Sequence, residues 1–172
     1  MEFTIVPLGN EHDRKSFSCG EHALDQYLHR YASQHIKRRL NRVFVAAPVT
    51  APHLVAGYYS LSAAGLAATD LPVRLQRRLP RDPLPVALVG RLAVAASHQG
   101  QGLSSVLLAD ALQRIAQASQ AIAVHAVVID ALHDRAAAFY RHFGFAPLPD
   151  QPLKLFLPMN SVIGASGHRT RS

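Results

Sequence analysis

The sequence predicts an α/β fold in which a mixed central sheet is flanked by helices. Short segments rich in Val, Ile, Phe and Tyr alternate with segments whose apolar residues recur at helical spacing. In the second half the predicted elements follow the order strand, helix, strand, helix, strand. No internal repeat or linker divides the 172 residues, so we expect one domain over 1–159 and a polar, mobile tail over 160–172.

The first half is expected to hold a strand, a helix and a hairpin. Residues 3–8 have the β-rich composition of a strand. Apolar residues recur at helical spacing over 24–36. The apolar segments 43–47 and 54–63 predict two strands, and the turn at 48–52 between them predicts a hairpin.

The second half is expected to complete the sheet. Residues 86–94 are almost uninterruptedly apolar, which is typical of a central strand covered on both faces. Asp134 is expected to cap a helix that Gly144 ends. The remaining predicted elements are a short helix over 72–78 with Pro72 in its first turn, a helix over 103–115, a strand over 121–130, a helix over 135–142, and strands over 145–148 and 153–157.

Arginine dominates the positive charge. The net charge is +7 with the ten histidines counted as neutral, and only three of the eighteen Lys and Arg residues are lysines. The planar arginine fork can form two hydrogen bonds with one phosphate, so clustered arginines favour a polyanionic partner. The clusters are Lys37–Arg39 with Arg42, the group Arg74, Arg77, Arg78 and Arg81, and the tail residues His168–Arg171.

Composition argues against several classes of protein. No apolar run approaches the roughly 20 residues of a membrane span, and Met1–Val6 lacks the pattern of a secretory signal. We therefore expect a soluble, cytoplasmic protein. The lone Cys19 excludes an internal disulfide and a multi-cysteine zinc site, and the histidines form no HxxxH pair, so no metal site is expected.

The segment 91–108 is the most informative. A strand-like run ends at Val94, a polar loop carries Gly100 and Gly102, and an apolar-periodic helix follows at Leu103. Glycine lets the backbone approach a ligand closely, and a helix N-terminus offers unpaired N–H groups. The loop lacks the Lys-Ser/Thr pair of a P-loop and the GxGxxG fingerprint. It is expected to hold a different phosphate-bearing cofactor; the alternative is a purely structural turn.

This loop resembles the Q/R-x-x-G-x-G/A signature of the GNAT (GCN5-related) N-acetyltransferases, with Ser104 where the family usually has Gly or Ala. The resemblance implies that the loop binds the pyrophosphate of acetyl-CoA. It also implies that the end of the preceding strand binds the acetyl carbonyl and the pantetheine arm through its backbone. The implied strand residues are Leu92, Ala93 and Val94, and the implied loop residues are Gln99, Gly100, Gln101, Gly102, Leu103, Ser104 and Ser105.

Tyr140 is the candidate catalytic residue. Acetyl transfer from a thioester to an amine benefits from a proton for the departing thiolate, and a phenol with a pKa near 10 is protonated at neutral pH. The segment Phe139–Phe145 resembles the F-Y-x-x-x-G-F element of GNAT enzymes, in which this tyrosine lies beside the cofactor sulfur. The alternative is a core aromatic packed with Phe139 and Phe143.

No general base stands out, because the few acidic residues fit caps or surface positions. A lysine amine with a pKa near 10.4 is mostly charged at pH 7, whereas an α-amine with a pKa of about 7.7–8.0 is partly neutral. The weak base equipment therefore favours an α-amine as the acceptor.

The N-terminal third resembles the GNAT toxins of bacterial type II toxin–antitoxin systems. The shared elements are Phe-x-Cys-Gly at 17–20, Leu-Asp-x-Tyr-Leu at 24–28 and Gly-Tyr-Tyr-x-Leu at 57–61. The resemblance implies acetylation of the α-amine of aminoacyl-tRNA, which blocks translation. It also implies a homodimer and a ribbon-helix-helix antitoxin, through which the complex binds operator DNA. The arginines expected to contact tRNA are Arg77, Arg78, Arg38 and Arg39.

Two alternative functions remain at this point. The first is an acetyltransferase acting on a small amine or a protein N-terminus. The second is a non-catalytic nucleic-acid-binding module that keeps the fold as a scaffold.

Overall fold

The computed structural model describes residues 1–167, with side chains described up to residue 164. The strands are β1 (Phe3–Pro7), β2 (Arg42–Pro48), β3 (Gly57–Leu66), β4 (Leu84–Val94), β5 (Ala126–Asp130), β6 (Ala146–Leu148) and β7 (Gln151–Pro158). They form a seven-stranded sheet in the order β1-β2-β3-β4-β5-β7-β6. The sheet is mixed: β4 and β5 are parallel, whereas the pairs β1–β2, β2–β3, β5–β7 and β6–β7 are antiparallel. The predicted fold class and hairpin are confirmed.

Helices separate most of the strands. A π-helical segment, Tyr27–Tyr31, interrupts the first helix where the sequence predicts one continuous α-helix. Short 3₁₀ turns lie at Ala68–Asp70 and Ala96–His98. The α-helices are α1 (His22–Gln26), α2 (Ala32–Lys37), α3 (Val73–Gln76), α4 (Leu103–Ala118), α5 (Asp134–His142) and α6 (Met159–Gly167).

Contacts between residues divide the chain into two compact units. The first unit contains Met1–Ser62 and Gly90–Ala111, and the second contains Ala63–Val89 and the described residues from Leu112 to Gly167. The candidate glycine loop therefore belongs to the first unit, and Tyr140 belongs to the second.

The first unit has helices on both faces of β3. The Tyr58 hydroxyl donates a 2.7 Å hydrogen bond to the carbonyl oxygen of Leu24 in α1, and the next residue, Tyr59, donates a 2.5 Å bond to Asp110 in α4. Because successive strand residues point to opposite faces, α1 and α4 cover opposite faces of β3. The core on the α1 face consists of Leu8, Phe17, Cys19, Tyr27, Leu28, Ala32, Val43, Val45, Val55, Tyr58, Ala93 and Ala95.

The second unit has its own core. Apolar side chains of β4, β5 and β7 meet those of the irregular segment before β4. These apolar contacts hold the segment between β3 and β4 in place, although it has little regular structure. The core consists of Leu66, Ala68, Leu71, Leu84, Val86, Ala126, Val128, Leu148 and Phe156.

The end of the described chain is helical. The sequence analysis expects no element after Pro158, yet α6 follows it directly and buries Met159 and Val162. These two apolar residues stand three positions apart and share one helix face. The tail cluster His168–Arg171 lies outside the described residues. Within residues 1–167, no helix is both long enough and apolar enough to span a membrane.

Candidate active site

The end of β4 is tied to two neighbouring parts of the first unit. The Ala95 N–H donates a 2.8 Å hydrogen bond to the carbonyl of Ala56 just before β3, and the Ala96 N–H donates a 2.8 Å bond to the carbonyl of Ser18. These bonds anchor the chain where it leaves the sheet and enters the glycine loop. The predicted acetyl-binding segment, Leu92–Val94, ends immediately before this anchor.

Gln99 secures the start of the loop with its side chain. Its Nε2 donates hydrogen bonds to the carbonyl oxygen of Cys19, at 2.8 Å, and to that of Val94, at 3.0 Å. The side-chain amide N–H groups are therefore used within the protein. Any contact of Gln99 with a cofactor must be made by its other atoms. Its predicted role in binding the pyrophosphate stays a prediction.

Two glycines give the loop its shape. Gly100 and Gly102 both have φ +78°, a left-handed conformation that other residues rarely adopt. A Cβ at either position would have no heavy atom within 4 Å, so the space above the backbone is open. The carbonyl of Gly102 accepts the first helical hydrogen bond, from the Val106 N–H at 3.3 Å. An anion can therefore come close to the loop backbone at both glycines, because neither residue carries a side chain.

The first turn of α4 presents backbone and small polar groups. Leu103 is buried, and its side chain packs into the core, whereas Ser104 and Ser105 are half-buried. The first N–H groups of a 16-residue helix lack partners within the helix and carry the positive end of its dipole. This turn can therefore hold a negatively charged group through its backbone.

Gly57 keeps β3 close to the predicted acetyl site, a role that sequence analysis missed. A Cβ on Gly57 would lie 2.9 Å from the carbonyl oxygen of Ala93 and 2.9 Å from Cδ1 of Leu107. Such contacts are too short for any side chain. The absence of a side chain at Gly57 thus sets the position of β4 and α4 against β3.

Tyr140 lies in the second unit on α5. Only 5% of the residue is exposed, and its ring packs edge-on against Phe139 and Phe145, with centroids 5.2 Å and 6.2 Å away. The hydroxyl has no hydrogen-bond partner among the described residues. Burial raises the pKa of the phenol well above its usual range. The phenol of Tyr140 is therefore protonated at physiological pH and can donate a hydrogen bond.

The N-terminus of α5 is capped by a different residue from the one predicted. His133, not Asp134, takes the cap position, and its Nδ1 accepts a 3.1 Å hydrogen bond from the Ala136 N–H. Asp134 begins the helix, where its charge favours the positive end of the dipole. The predicted end is correct, because Gly144 follows the helix with φ +96°.

Comparisons with known proteins identify the family. Residues 39–147 match the acetyltransferase (GNAT) domain family. A tRNA-acetylating toxin of Mycobacterium tuberculosis (strain ATCC 25618 / H37Rv) is 43% identical over 150 residues, which cover 87% of this chain and 88% of the toxin. The chain belongs to the GNAT acetyltransferase family. Its resemblance to the toxin branch of that family is likewise confirmed.

Solved GNAT toxins share the fold over nearly the whole chain. AtaT complexed with acetyl-methionyl-tRNAfMet superimposes with a TM-score of 0.88 at 31% identity, covering 96% of this chain and 99% of AtaT. A tyrosine-to-phenylalanine AtaT mutant bound to the C-terminus of the antitoxin AtaR and acetyl-CoA gives 0.81 at 28% identity, with 95% and 98% covered. The KacTA–DNA complex gives 0.82 at 27% identity, with 97% and 99% covered.

The arginines of this GNAT chain form exposed groups in each unit. Arg38 and Arg39 follow α2 in the first unit, and Arg77 and Arg78 follow α3 in the second. Arg39 and Arg78 have φ values of 61° and 65°, which place each of them in the left-handed region just after a helix. None of the four forms an ion pair with the described residues. Their charges are thus available to a polyanion.

Sequence analysis also missed the positions of two polar residues, Asp110 on α4 and Ser60 on β3. Asp110, expected to be a cap or surface residue, accepts the short bond from Tyr59, which is fully buried. Ser60 is fully buried, and its hydroxyl has no hydrogen-bond partner among the described residues. Its Oγ lies 3.3 Å from where a Cβ of Gly90 would stand. No local sequence signal marks either group, since the contacts join distant segments.

Proposed function

We propose that this chain transfers the acetyl group of acetyl-CoA to the α-amine of aminoacyl-tRNA and thereby blocks translation. Tyr140 carries the proposal. It is a buried, protonated phenol whose hydroxyl is not used within the described protein, and it lies in a sequence element typical of GNAT enzymes. A group of this kind can deliver a hydrogen bond or a proton to a departing thiolate.

The first unit fits acetyl-CoA. The open, left-handed Gly100 and Gly102, followed by the N-terminus of α4, suit a pyrophosphate. The residues proposed to hold it are Gln99–Ser105, with the backbone of Leu92–Val94 holding the acetyl carbonyl and the pantetheine arm. When bound, acetyl-CoA supplies an activated acetyl thioester. A related AtaT mutant is known with acetyl-CoA bound, which supports acetyl-CoA as the ligand.

The residues of this chain then have distinct tasks. Backbone N–H groups at the end of β4 stabilise the negative charge that develops on the acyl oxygen. Tyr140 holds its proton on the hydroxyl and passes it to the sulfur as the carbon–sulfur bond breaks. The amine nitrogen bonds to the acetyl carbon and loses one proton. Because a phenolate would be costly in this buried site, that proton restores the Tyr140 phenol before the next turnover.

Three observations support aminoacyl-tRNA as the acceptor. The Mycobacterium tuberculosis relative is a tRNA-acetylating toxin, and AtaT is known in complex with acetyl-methionyl-tRNAfMet. The exposed arginines Arg38, Arg39, Arg77 and Arg78 suit RNA phosphates. An α-amine with a pKa of about 7.7–8.0 needs little help from a base.

The proposed partners follow from the same relatives. AtaT binds the C-terminus of the antitoxin AtaR, and KacTA binds DNA. We infer a cognate ribbon-helix-helix antitoxin that neutralises this chain and joins it to operator DNA, and a homodimer of the free toxin. A toxin that acts on aminoacyl-tRNA works where translation takes place, so we assign it to the cytoplasm.

One experiment tests the activity. Purified protein is incubated with acetyl-labelled acetyl-CoA and total aminoacylated tRNA, with deacylated tRNA as the control. Label is expected on charged tRNA alone, and Tyr140→Phe is expected to abolish most of it. Label on free amines or protein N-termini, with none on charged tRNA, would instead support the alternative acetyltransferase function.

A further inference from the structure

Arg91 occupies an unusual position on β4. It directly precedes the proposed acetyl-binding segment Leu92–Val94 and is half-buried. Its guanidinium carbon lies 3.6 Å from the centroid of the Tyr27 ring, well within the range of a cation–π interaction. The guanidinium forms no hydrogen bond or ion pair with the described residues. A partly desolvated cation without a carboxylate partner is costly, which favours a ligand as its counter-ion.

The aromatic group beneath Arg91 is held rigidly. Tyr27 begins the π-helical segment, is only 3% exposed, and accepts a 2.9 Å hydrogen bond from Nδ2 of Asn41 through its hydroxyl. Its ring stacks on Tyr58 with an interplanar angle of 19°. Such π-helical insertions are frequent at functional sites. This rigid ring supports the guanidinium over its face, which favours a fixed position for a group whose planar fork of N–H donors matches a phosphate.

Arg91 and the proposed pyrophosphate site lie on opposite faces of β3, so the pyrophosphate is not the ligand of Arg91. Tyr27 and Tyr58 belong to the α1 face of β3, whereas α4, which the glycine loop begins, covers the opposite face. The pyrophosphate proposed for Gly100 and Gly102 therefore belongs to the α4 face. The pyrophosphate is therefore not the counter-ion of Arg91, which favours an anion of the other substrate.

We propose that Arg91 binds the phosphodiester that joins the terminal, aminoacylated adenosine to the rest of the tRNA. The inference rests on the proposed function, because it requires an aminoacyl-tRNA acceptor. In such a substrate, this phosphodiester is the anion nearest to the reacting α-amine. The amine itself carries no negative charge, so a cation attracts only the phosphate. Arg91 is thus a substrate-positioning residue that holds the acceptor end beside Leu92–Val94.

Two synthetic acceptors test whether Arg91 acts through the phosphodiester of the substrate. One is an aminoacyl ester of adenosine, which has no phosphate, and the other is the same ester of the dinucleotide CpA, which has one phosphodiester. Initial rates are measured with wild type, Arg91→Gln and Arg91→Lys, at varied acceptor and varied acetyl-CoA. Arg135→Gln, which removes an exposed arginine of α5, is the matched control.

Wild type is expected to prefer the CpA ester, and Arg91→Gln to lose that preference. Its kcat/KM should fall about ten- to a hundredfold for the CpA ester, as expected for a lost charged hydrogen bond. Activity on the adenosine ester and the KM for acetyl-CoA should change by less than about twofold, and Arg91→Lys should recover part of the loss, because a lysine still offers a point charge to the phosphate. Arg135→Gln should behave as wild type.

Two results would contradict the inference. Equal losses on both esters, with an unchanged melting temperature, would show that Arg91 does not act through the phosphate. No loss on either ester would show that it does not contact the acceptor. A wild-type protein that acetylates neither ester and does not acetylate whole aminoacyl-tRNA would contradict the proposed function itself. This outcome is distinct because no variant is needed to observe it.

Discussion

Nε2 of Gln99 lies 2.8 Å from the carbonyl oxygen of Cys19, although eighty residues separate them in the sequence. The bond joins the start of the glycine loop to the segment that leads into α1. Since Gln99 also bonds to Val94, one side chain connects the loop, the end of β4 and the N-terminal segment. Gln99 therefore positions the candidate cofactor site, although the sequence motif implies that it binds the cofactor.

Gln99→Ala is expected to loosen the segment around Cys19. Burial raises the pKa of the Cys19 thiol to about 11, so only roughly one thiol in a thousand is ionised at pH 8, and the thiolate is the reactive form. Iodoacetamide should label native wild type slowly. Loss of two hydrogen bonds, each worth about 1 kcal/mol, should expose Cys19 more often and raise the labelling rate several-fold.

Ser97→Ala is the matched control for this experiment, because Ser97 is exposed in the same turn and its Oγ contacts only the neighbouring His98. It should label at the wild-type rate. Identical rates for wild type and Gln99→Ala, measured by intact mass over time, would show that the Gln99 side chain does not hold this segment closed.

Gly57→Ala is expected to destabilise the protein. The added methyl group would stand 2.9 Å from the Ala93 carbonyl oxygen and from a Leu107 methyl group, and overpacking of this kind costs about 1–3 kcal/mol. Urea unfolding followed by circular dichroism measures the change. Gly164→Ala, at an open position in α6, is the control and should be neutral or slightly stabilising, by up to about 1 kcal/mol. Equal stability of the two variants would contradict the close approach at Gly57.

Acetyl transfer should keep its rate at high pH. The pKa of Tyr140 is raised, so the protonated phenol that acts as donor persists beyond pH 10, where an exposed tyrosine would lose its proton. The single-turnover rate should rise as the substrate amine loses its proton near pH 8 and then stay level to about pH 10.

Tyr140→Phe should lower the rate by about 10²–10⁴ while the melting temperature changes little, because the ring still packs on Phe139 and Phe145.

A decline of the wild-type rate between pH 8 and 9 would contradict this assignment, provided that the charged substrate is shown to be intact over the measurement. So would a Tyr140→Phe variant that transfers acetyl groups at nearly the wild-type rate.

Removing the charges of Arg77 and Arg78 should weaken tRNA binding and flatten its salt dependence. Arg78 is best replaced by Asn, which tolerates its left-handed conformation, so that charge is removed without added strain; Arg77→Gln completes the pair. The slope of log K against log salt should fall by about 0.7–0.9 for each RNA phosphate that the variant no longer neutralises. Filter binding at several salt concentrations measures the slope, and an unchanged slope would show that these arginines do not face the RNA.

Local patterns predicted the parts of this protein that depend on neighbours in the sequence. The β2–β3 hairpin, the apolar strand β4, the glycine loop and the end of α5 at Gly144 all follow from residue types within a few positions. The choice of cap does not follow in this way, because His133 and Asp134 can each accept a bond at a helix start, and the structure uses His133.

Long-range contacts were outside the reach of the sequence. The bonds of Gln99 with Cys19 and of Tyr59 with Asp110, and the stack of Arg91 on Tyr27, each join segments more than fifty residues apart. The π-helical segment at Tyr27–Tyr31 has the same apolar spacing as an α-helix over so short a stretch, so periodicity does not reveal it. The Tyr59–Asp110 bond and the Arg91–Tyr27 contact place α4 and Arg91 on opposite faces of β3.

The most direct test of the central claim is the mass of the aminoacyl-adenosine released by ribonuclease from charged tRNA after incubation with the protein and acetyl-CoA. The account predicts a gain of one acetyl group on the amino acid, absent with Tyr140→Phe and absent without acetyl-CoA. Aminoacyl-adenosine of unchanged mass, from a protein that binds acetyl-CoA, would contradict it.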